Sequence, residues 1–364
     1  MDALFARSPQ AIAPLYPDAG LDRPFDFDRV AFIDTETTGL GNGAGIYPFM
    51  VGVGTFEPAP GGKGSEFVVR QLFMRHPGEE LGLLTALAGL LEGRQGLVTF
   101  NGRTFDVPLL RGRYRFNRHW LPVDAPPLLQ EANAPHLDLL HPARRLWSQQ
   151  LPSCRLSALE QAILAHARRE EDVPGYLIPA LYAQYIHNRD ARPMQGIFYH
   201  NQEDILSMVY LAERVCDYVG DPLDGERDDL NPMTLLALGQ IHEQVGNVER
   251  AERALRAAIN GLHDPRSLAG AYDKLGWLLR RQDRWAEAAA IWEGWISRVP
   301  GPDPRPFEAL AKYCEWQLGD LTQAEMWTAW ALHNQQSAPA YQRSPQTIAE
   351  LEHRLTRIRG KLEE

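Results

Sequence analysis

The chain is short of cysteine, of long apolar runs and of positive charge. Its three cysteines, Cys154, Cys216 and Cys314, are far apart and odd in number. That excludes a disulfide framework and the paired spacing of a structural zinc site, and it fits a reducing cytoplasm. No run of about 18 apolar residues occurs, so no membrane span is expected. The opening residues, Met1-Asp2-Ala3-Leu4-Phe5-Ala6-Arg7, have no basic stretch leading into an apolar one, and no signal peptide is expected. Lys and Arg total 37 against 47 for Asp and Glu, a formal net charge of −10. This excludes a surface that is basic all over, but not a local basic groove. Nucleotide-binding glycine motifs are missing too. The glycines at 41–45 have the wrong spacing for a dinucleotide fingerprint, and no helix pattern follows them. Gly61-Gly62-Lys63-Gly64-Ser65 lies between strand-like runs, so a hairpin loop is expected there rather than a phosphate loop.

What is present is a globular composition, 44% hydrophobic and 23% charged over 364 residues, enough for two domains. Residues 30–40 organise the first. Val30–Ile33 is short, apolar and rich in β-branched side chains, which reads as a buried strand. The strand runs into Asp34-Thr35-Glu36. Side chains two apart on a strand share a face, so both carboxylates point to one spot. They repel there unless something positive lies between them, and a hard divalent cation is the natural partner. Thr37-Thr38-Gly39 then breaks the strand.

Residues 1–29, rich in Pro, Asp and Ala, read as a lead-in segment without regular structure. Strands are expected at 30–35, 49–56, 66–74, 96–100 and 137–140. A helix is expected at 79–91 with Leu81, Leu84, Leu87 and Leu91 on one side, and another at 104–114 after the turn Asn101-Gly102-Arg103. A helical region at 142–169 is interrupted near Pro152-Ser153, and Ser157 with Glu160 suggests a capping box, a helix start at Leu156 being the alternative. The stretch 173–190 carries two prolines, and 193–218 reads as a long amphipathic helix with Ile205, Leu206, Val209, Leu211 and Val215. Three strands, a helix, then alternating strands and helices predict an α/β domain on a mixed sheet over 30–220. An acidic stretch with two prolines, 221–232, reads as a linker.

Residues 233–364 repeat. Leu238-Gly239, Ala251 and Ala258 align with Leu275-Gly276, Ala288 and Trp295, a shift of 37 residues. A weaker third copy sets Gly319, Ala324 and Ala331 opposite Gly246, Ala251 and Ala258. Each copy reads as helix, turn and helix, the turns being Gly246-Asn247, Asp283-Arg284 and Gly319-Asp320, with inter-repeat loops at 263–268 and 300–306. The pattern resembles the tetratricopeptide repeat, which has a period of about 34 residues. A plain helical bundle is the alternative.

Two later stretches supply more acids. Asp106, at the start of the helix after Asn101-Gly102-Arg103, can point back over the sheet edge beside the first strand; a helix dipole alone would also favour an acid there. His200 and Asp204 lie four apart on the last helix of the domain and so share a face. Asp-Thr-Glu, then Asn-x-x-x-Phe-Asp, then a late helical acid preceded by His or Tyr, resembles the DEDD exonuclease superfamily on a ribonuclease-H-like fold. More narrowly, 32–40, 100–110, 136–160 (with Leu151-Pro152-Ser153-Cys154-Arg155-Leu156) and 200–206, ahead of tetratricopeptide-type helices, resemble the bacterial YprB-like proteins.

The resemblance implies an α/β ribonuclease-H-like mixed sheet with flanking helices, followed by an all-α tetratricopeptide-like repeat domain. It implies a 3′-to-5′ exonuclease releasing nucleoside 5′-monophosphates, with Asp34, Glu36, Asp106 and Asp204 around two Mg²⁺ or Mn²⁺ ions and a general base beside them. The superfamily places a histidine five residues before the final Asp or a tyrosine four before; here His200 is four before and Tyr199 five before. His200 is the expected base, because it shares a face with Asp204 and titrates near neutrality. Tyr199 is expected to pack. DNA in repair, alongside a helicase, is what the YprB-like resemblance implies. RNA trimming by the same site and a scaffold with an inactive nuclease-like domain are the alternatives.

Substrate must pass an acidic protein. Arg111, Arg113, Arg115, Arg118 and His119 interleave with Tyr114, Phe116 and Trp120, and a second cluster comprises Arg144, Arg145, Arg155, Arg168 and Arg169. Arginines bind phosphates and aromatics stack on unpaired bases. Thr37, Asn101, Arg103, Arg111 and Arg115 are the expected nucleic-acid contacts.

Overall fold

The computed structural model describes residues 4, 9–39, 45–62, 64–131, 134–220 and 230–363. Most of the glycine loop at 41–45, Lys63 of the hairpin loop and most of the expected linker at 221–232 lie outside the described residues. The chain forms two compact units, Met1–Gly225 and Glu226–Glu364.

The first unit is built on a five-stranded mixed sheet in the order β3-β2-β1-β4-β5. The strands are β1 (Ala31–Thr37), β2 (Pro48–Pro58), β3 (Ser65–Phe73), β4 (Leu97–Thr99) and β5 (His136–Asp138). β1 and β3 run antiparallel to β2, whereas β4 runs parallel to β1 and β5 parallel to β4. The longer helices beside the sheet are α1 (Glu80–Leu91), α2 (Asp106–Asn117), α3 (Leu140–Trp147), α4 (Leu156–Ala162) and α5 (Ile178–Asn188), with a single helical turn at Pro127–Gln130. The longest, α6 (Met194–Gly220), crosses the sheet. β1 is central and covered on both sides, so its first three residues are all buried. On one side Ile33, Phe49, Val51, Leu84, Leu87 and Tyr182 share a core, with the rings of Phe49 and Tyr182 stacked 3.8 Å apart.

β2 carries two glycines where a side chain would collide with α6. A Cβ on Gly52 would lie 2.3 Å from the Asn201 Oδ1 and 2.4 Å from the Ile205 Cδ1. One on Gly54 would lie 2.6 Å from the Ile205 Cγ2. Gly52 is the register partner of Asp34. The bare backbone therefore lets α6 approach the sheet beside the first of the paired carboxylates.

Several local expectations need correction. The lead-in is not without regular structure: it forms short 3₁₀ turns at Pro9–Ile12, Pro17–Ala19 and Phe27–Arg29. It also buries Ile12, Leu15, Tyr16, Leu21 and Phe25, because apolar side chains spaced along it find a core to fill. On α1 it is Leu83, with Leu84, Leu87 and Leu91, that is buried, rather than Leu81. The helix expected at 104–114 runs from Asp106 to Asn117, and β5 ends at Asp138 so that α3 can start at Leu140. There is no capping box at Ser157. α4 begins at Leu156, so Ser157 is already inside the helix and cannot cap it, and Glu160 is turned inward to Arg168. Of the residues expected to pin α6, Ile205, Val209, Leu211 and Val215 are buried, but Leu206 lines an open hollow.

The second unit is all helical: α7 (Pro232–Gln244), α8 (Val248–Gly261), α9 (Pro265–Arg280), α10 (Trp285–Arg298), α11 (Arg305–Tyr313), α12 (Leu321–Ser337) and α13 (Pro345–Glu363). The turns after α7 and α9 and the one before α12 each place one residue in the left-handed region: Gly246 (φ 76°), Asp283 (φ 58°) and Gly319 (φ 67°). Ala251, Ala258, Ala288 and Trp295 are buried, as are Ala324 and Ala331. Close helix crossing explains the Leu-Gly pairs: a Cβ on Gly239 would meet Leu255 at 2.7 Å, and one on Gly276 the Trp292 indole at 2.2 Å. The loop expected at 263–268 is shorter, because α9 begins at Pro265, a residue whose fixed φ suits a helix start. After α11 the chain continues through a π-helical stretch, Cys314–Leu318. Glu315, in that stretch, is buried and gathers Arg354, Arg357 and Lys361 from α13.

Replacing Gly52 with Ala is expected to destabilise the protein by about 1–3 kcal/mol through overpacking against Asn201 and Ile205, measured by urea unfolding.

Candidate active site

Asp34 and Glu36 emerge from the end of β1 on one face. Asp106 is the first residue of α2, whose N-terminus is delivered to the sheet edge by the turn after β4. Asp138, at the end of β5, builds that turn. Its Oδ1 accepts the Asn101 and Leu140 amides at 2.7 and 3.1 Å, and its Oδ2 accepts the Arg103 amide at 3.0 Å. Asn101 takes a left-handed conformation, φ 64°, as short polar residues can. Asp204 comes from α6, one turn beyond His200. Nothing local in the sequence marks Asp138, a strand-end acid, as a turn organiser.

All four acids are raised by burial, and the pKa values of Asp34 and Glu36 are raised further by the other acids. Burial pushes Asp34 well above the ordinary carboxylate range, and the charges of Asp204 and Asp106 push it further. The Asn201 amide, which donates to the Asp34 Oδ2 at 2.8 Å, works against this. Gln71 in turn donates to the Asn201 Oδ1 at 3.0 Å, fixing the amide's orientation. Glu36 is raised well above its usual range by burial, then by Asp34, Asp204 and Asp106. Asp106 is pushed up to about 6, mainly by burial, and is partly relieved by the Thr35 hydroxyl that donates to it. Burial raises Asp204 as well, opposed by His200 and Arg168. This donor set, four hard oxygen acids short of positive charge, fits a divalent cation. The side chains are not yet gathered around one: among the described residues no three His, Cys, Asp or Glu side chains stand so as to hold a metal. Both outer acids are already engaged, Asp106 by Thr35 and Asp204 by Arg168.

Arg168 is the main surprise. It was expected in a nucleic-acid-binding cluster, but it is directed inward. Its Nε and Nη2 donate to the two oxygens of buried Glu160 at 2.8 and 2.6 Å, and Nη2 also reaches the Asp204 Oδ1. Its Nη1 lies 3.1 Å from the His200 Nδ1 and 3.5 Å from the Asp172 Oδ2. Asp172 is a second residue that the sequence did not reveal. Its Oδ1 stands 2.8 Å from the His200 Nδ1, while the His200 Nε2 lies 3.7 Å from the Asp204 Oδ2. A carboxylate on Nδ1 favours the tautomer with the proton there, leaving the Nε2 lone pair on the side of Asp204. Tyr199 lies apart from this group. Its hydroxyl accepts the Arg169 amide at 3.1 Å, and the Arg169 guanidinium covers its ring.

Most of the expected nucleic-acid contacts are engaged elsewhere. The Thr37 hydroxyl donates to the Gly39 carbonyl at 2.8 Å. Arg103 is tied to the lead-in, donating to the Tyr16 hydroxyl at 2.9 Å and the Asp18 carbonyl at 2.7 Å. The Arg111 Nε donates to the Leu129 carbonyl at 2.6 Å, Arg113 is paired with Glu80, and Arg145 donates to the Pro14 carbonyl at 2.9 Å. Arg115 is exposed. With Arg111, Tyr114 and Arg118 it lines a hollow of about 320 Å³, and Phe116 and Trp120 are exposed nearby on the chain.

No helix among the described residues is long and apolar enough to cross a membrane.

An acid held above its ordinary range keeps a proton in the fold that the unfolded chain has lost, so stability falls as pH rises through the raised range. The Asp34→Asn variant is therefore expected to unfold at a higher temperature than the parent in metal-free buffer. Its advantage should widen as pH rises above the ordinary carboxylate range, measured by calorimetry.

Among known proteins, the chain is 28% identical over 324 residues to the Bacillus subtilis (strain 168) protein named "Uncharacterized protein YprB". The match covers 86% of this chain and 73% of that one. Residues 31–216, just over half of the chain, match the RNase_H superfamily model, and that span takes in all five strands, the four acids and His200. Strand order, acids and this match agree: the chain belongs to the RNase_H superfamily.

Proposed function

We propose that the first unit is a two-metal-ion 3′-to-5′ exonuclease acting on DNA. The observation that carries this reading is the convergence of four mutually destabilising acids, Asp34, Glu36, Asp106 and Asp204, beside an imidazole whose Nδ1 is held by Asp172. Mg²⁺ or Mn²⁺ held by these acids would lower the pKa of a bound water and stabilise the leaving oxygen. The chain's own contribution is positioning. Asn201 holds the Asp34 carboxylate in place, and Asp172 orients the imidazole so that the His200 Nε2 can take the proton of the attacking water. Tyr199, committed to Arg169, is not the base. Thr37, Asn101 and Arg103 shape the site from behind instead of gripping substrate, and the exposed Arg115 is the remaining phosphate contact among those expected. The helical second unit, with three left-handed turns in register, is read as tetratricopeptide-type repeats that dock a partner, a helicase being the class of partner the YprB-like resemblance suggests. A repair role in the cytoplasm follows from the same reading.

The test is release of mononucleotides from 3′- and 5′-labelled DNA and RNA with Mg²⁺ or Mn²⁺. Release from 3′ ends of DNA is expected, abolished in Asp34→Asn. His200→Ala should lower kcat by about 10²–10⁴-fold, and Tyr199→Phe should leave it near the parent value. Retained activity in Asp34→Asn would overturn the assignment, and preference for RNA would move the substrate class.

A further inference from the structure

Arg168 belongs to no acid set and to none of the roles assigned above, yet it is one of the most tightly bound side chains in the first unit. Its side chain is 10% exposed and its partner Glu160 only 2%. The backbone is shaped to deliver it. After α4 the chain turns back through Ala165 in the left-handed region, φ 52°, and the His166 amide returns to the Glu160 carbonyl at 2.9 Å. That brings residue 168 alongside the acid eight positions earlier. A buried charge pair of this kind is costly to assemble unless its remaining hydrogen bonds are met. Here the guanidinium meets them with Asp204 and Asp172, both at the proposed catalytic centre.

The fork geometry divides the labour. Nε and one hydrogen of Nη2 face Glu160, an anchor that no metal competes for. The other hydrogen of Nη2 and those of Nη1 face the site. Three carboxylates (Glu160, Asp172 and Asp204) surround this one guanidinium, so an arriving cation can take Asp204 while the Glu160 pair keeps Arg168 in place. The arm released from Asp204 then has no acceptor except what enters the site. A phosphate oxygen matches the geometry of the carboxylate oxygen it replaces.

We infer that Arg168 is a resident counter-cation: it holds Asp204 while no metal is bound, yields it to the metal, and then binds the scissile phosphate from its Glu160 anchor. This rests on the proposed metal-dependent nuclease.

The two parts of the inference push in opposite directions, and a damaged site would not do that. In the full-length chain, Arg168→Gln should bind Mn²⁺ about tenfold more tightly, because the competitor for Asp204 is gone. The readout is calorimetric titration of Mn²⁺ alone. The same variant at saturating Mn²⁺ should lose about 10²-fold in kcat on labelled DNA, through loss of a charge-stabilising donor. Arg168→Lys, which keeps the charge without the fork, should fall between parent and Gln variant in both measurements, and it serves alone if the Gln variant does not fold. Mn²⁺ affinity that is unchanged or weakened in folded variants, while the parent binds Mn²⁺ and degrades DNA, overturns this inference and leaves the nuclease reading standing. A folded parent that binds no Mn²⁺ and degrades nothing overturns both.

Discussion

Like charges crowded into a poorly solvated place are the constraint on which the first unit depends. Asp34 and Glu36 share a strand face, and Asp106 and Asp204 are brought to them by separate helices. Burial holds all four above their ordinary pKa, and the neighbouring acids push Asp34 and Glu36 further. A fold does not assemble such a cluster for stability, since separated carboxylates would cost less. The cluster persists because three of the four acids are held by something else: Asp34 by Asn201, Asp106 by Thr35, Asp204 by Arg168. These attachments offset part of the repulsion in the absence of metal.

Helix α6 shows how packing and site are the same problem. Its apolar residues Ile205, Val209, Leu211 and Val215 bury it against the first unit. Gly52 and Gly54 remove the side chains that would hold it off β2. The resulting approach puts Asn201 within hydrogen-bonding distance of Asp34, and carries His200 and Asp204 to the end of β1. A change of one methyl group at Gly52 therefore acts on stability and on site geometry together. The segment between α4 and α5 completes the arrangement from the other side. It supplies Arg168 and Asp172, and its left-handed residue at 165 lets the chain double back on Glu160.

The second unit obeys different physics. Its helices meet at small residues, Gly239 against Leu255 and Gly276 against Trp292, where any larger side chain would force them apart. Buried alanines at 251, 258, 288, 324 and 331 recur at matching places. The final helix buries Leu351, Leu355 and Ile358, and its arginines and lysine surround Glu315, a buried acid that would otherwise lack a partner. That ion cluster holds Glu315 down to about 2, the opposite of the acids in the first unit, because here the countercharges are part of the fold.

Features that depend on local chain chemistry are legible in the chain before it folds. Strand alternation put Asp34 and Glu36 on one face, helical spacing put His200 beside Asp204, and the recurring Leu-Gly and alanine positions marked helices that cross closely. The superfamily likeness could be read from the order of those acids. Where each cation goes is set in three dimensions, because an arginine's partner is chosen by folding and not by its neighbours in the chain. Arg103 and Arg111, read as substrate contacts, are bound to the chain's own oxygens. Arg168, read as part of a surface cluster, is buried on Glu160, an acid that in sequence looked like a helix cap. Asp138 and Asp172 carried no local signal at all. Their roles come from a turn and an imidazole that strand pairing and helix packing place beside them.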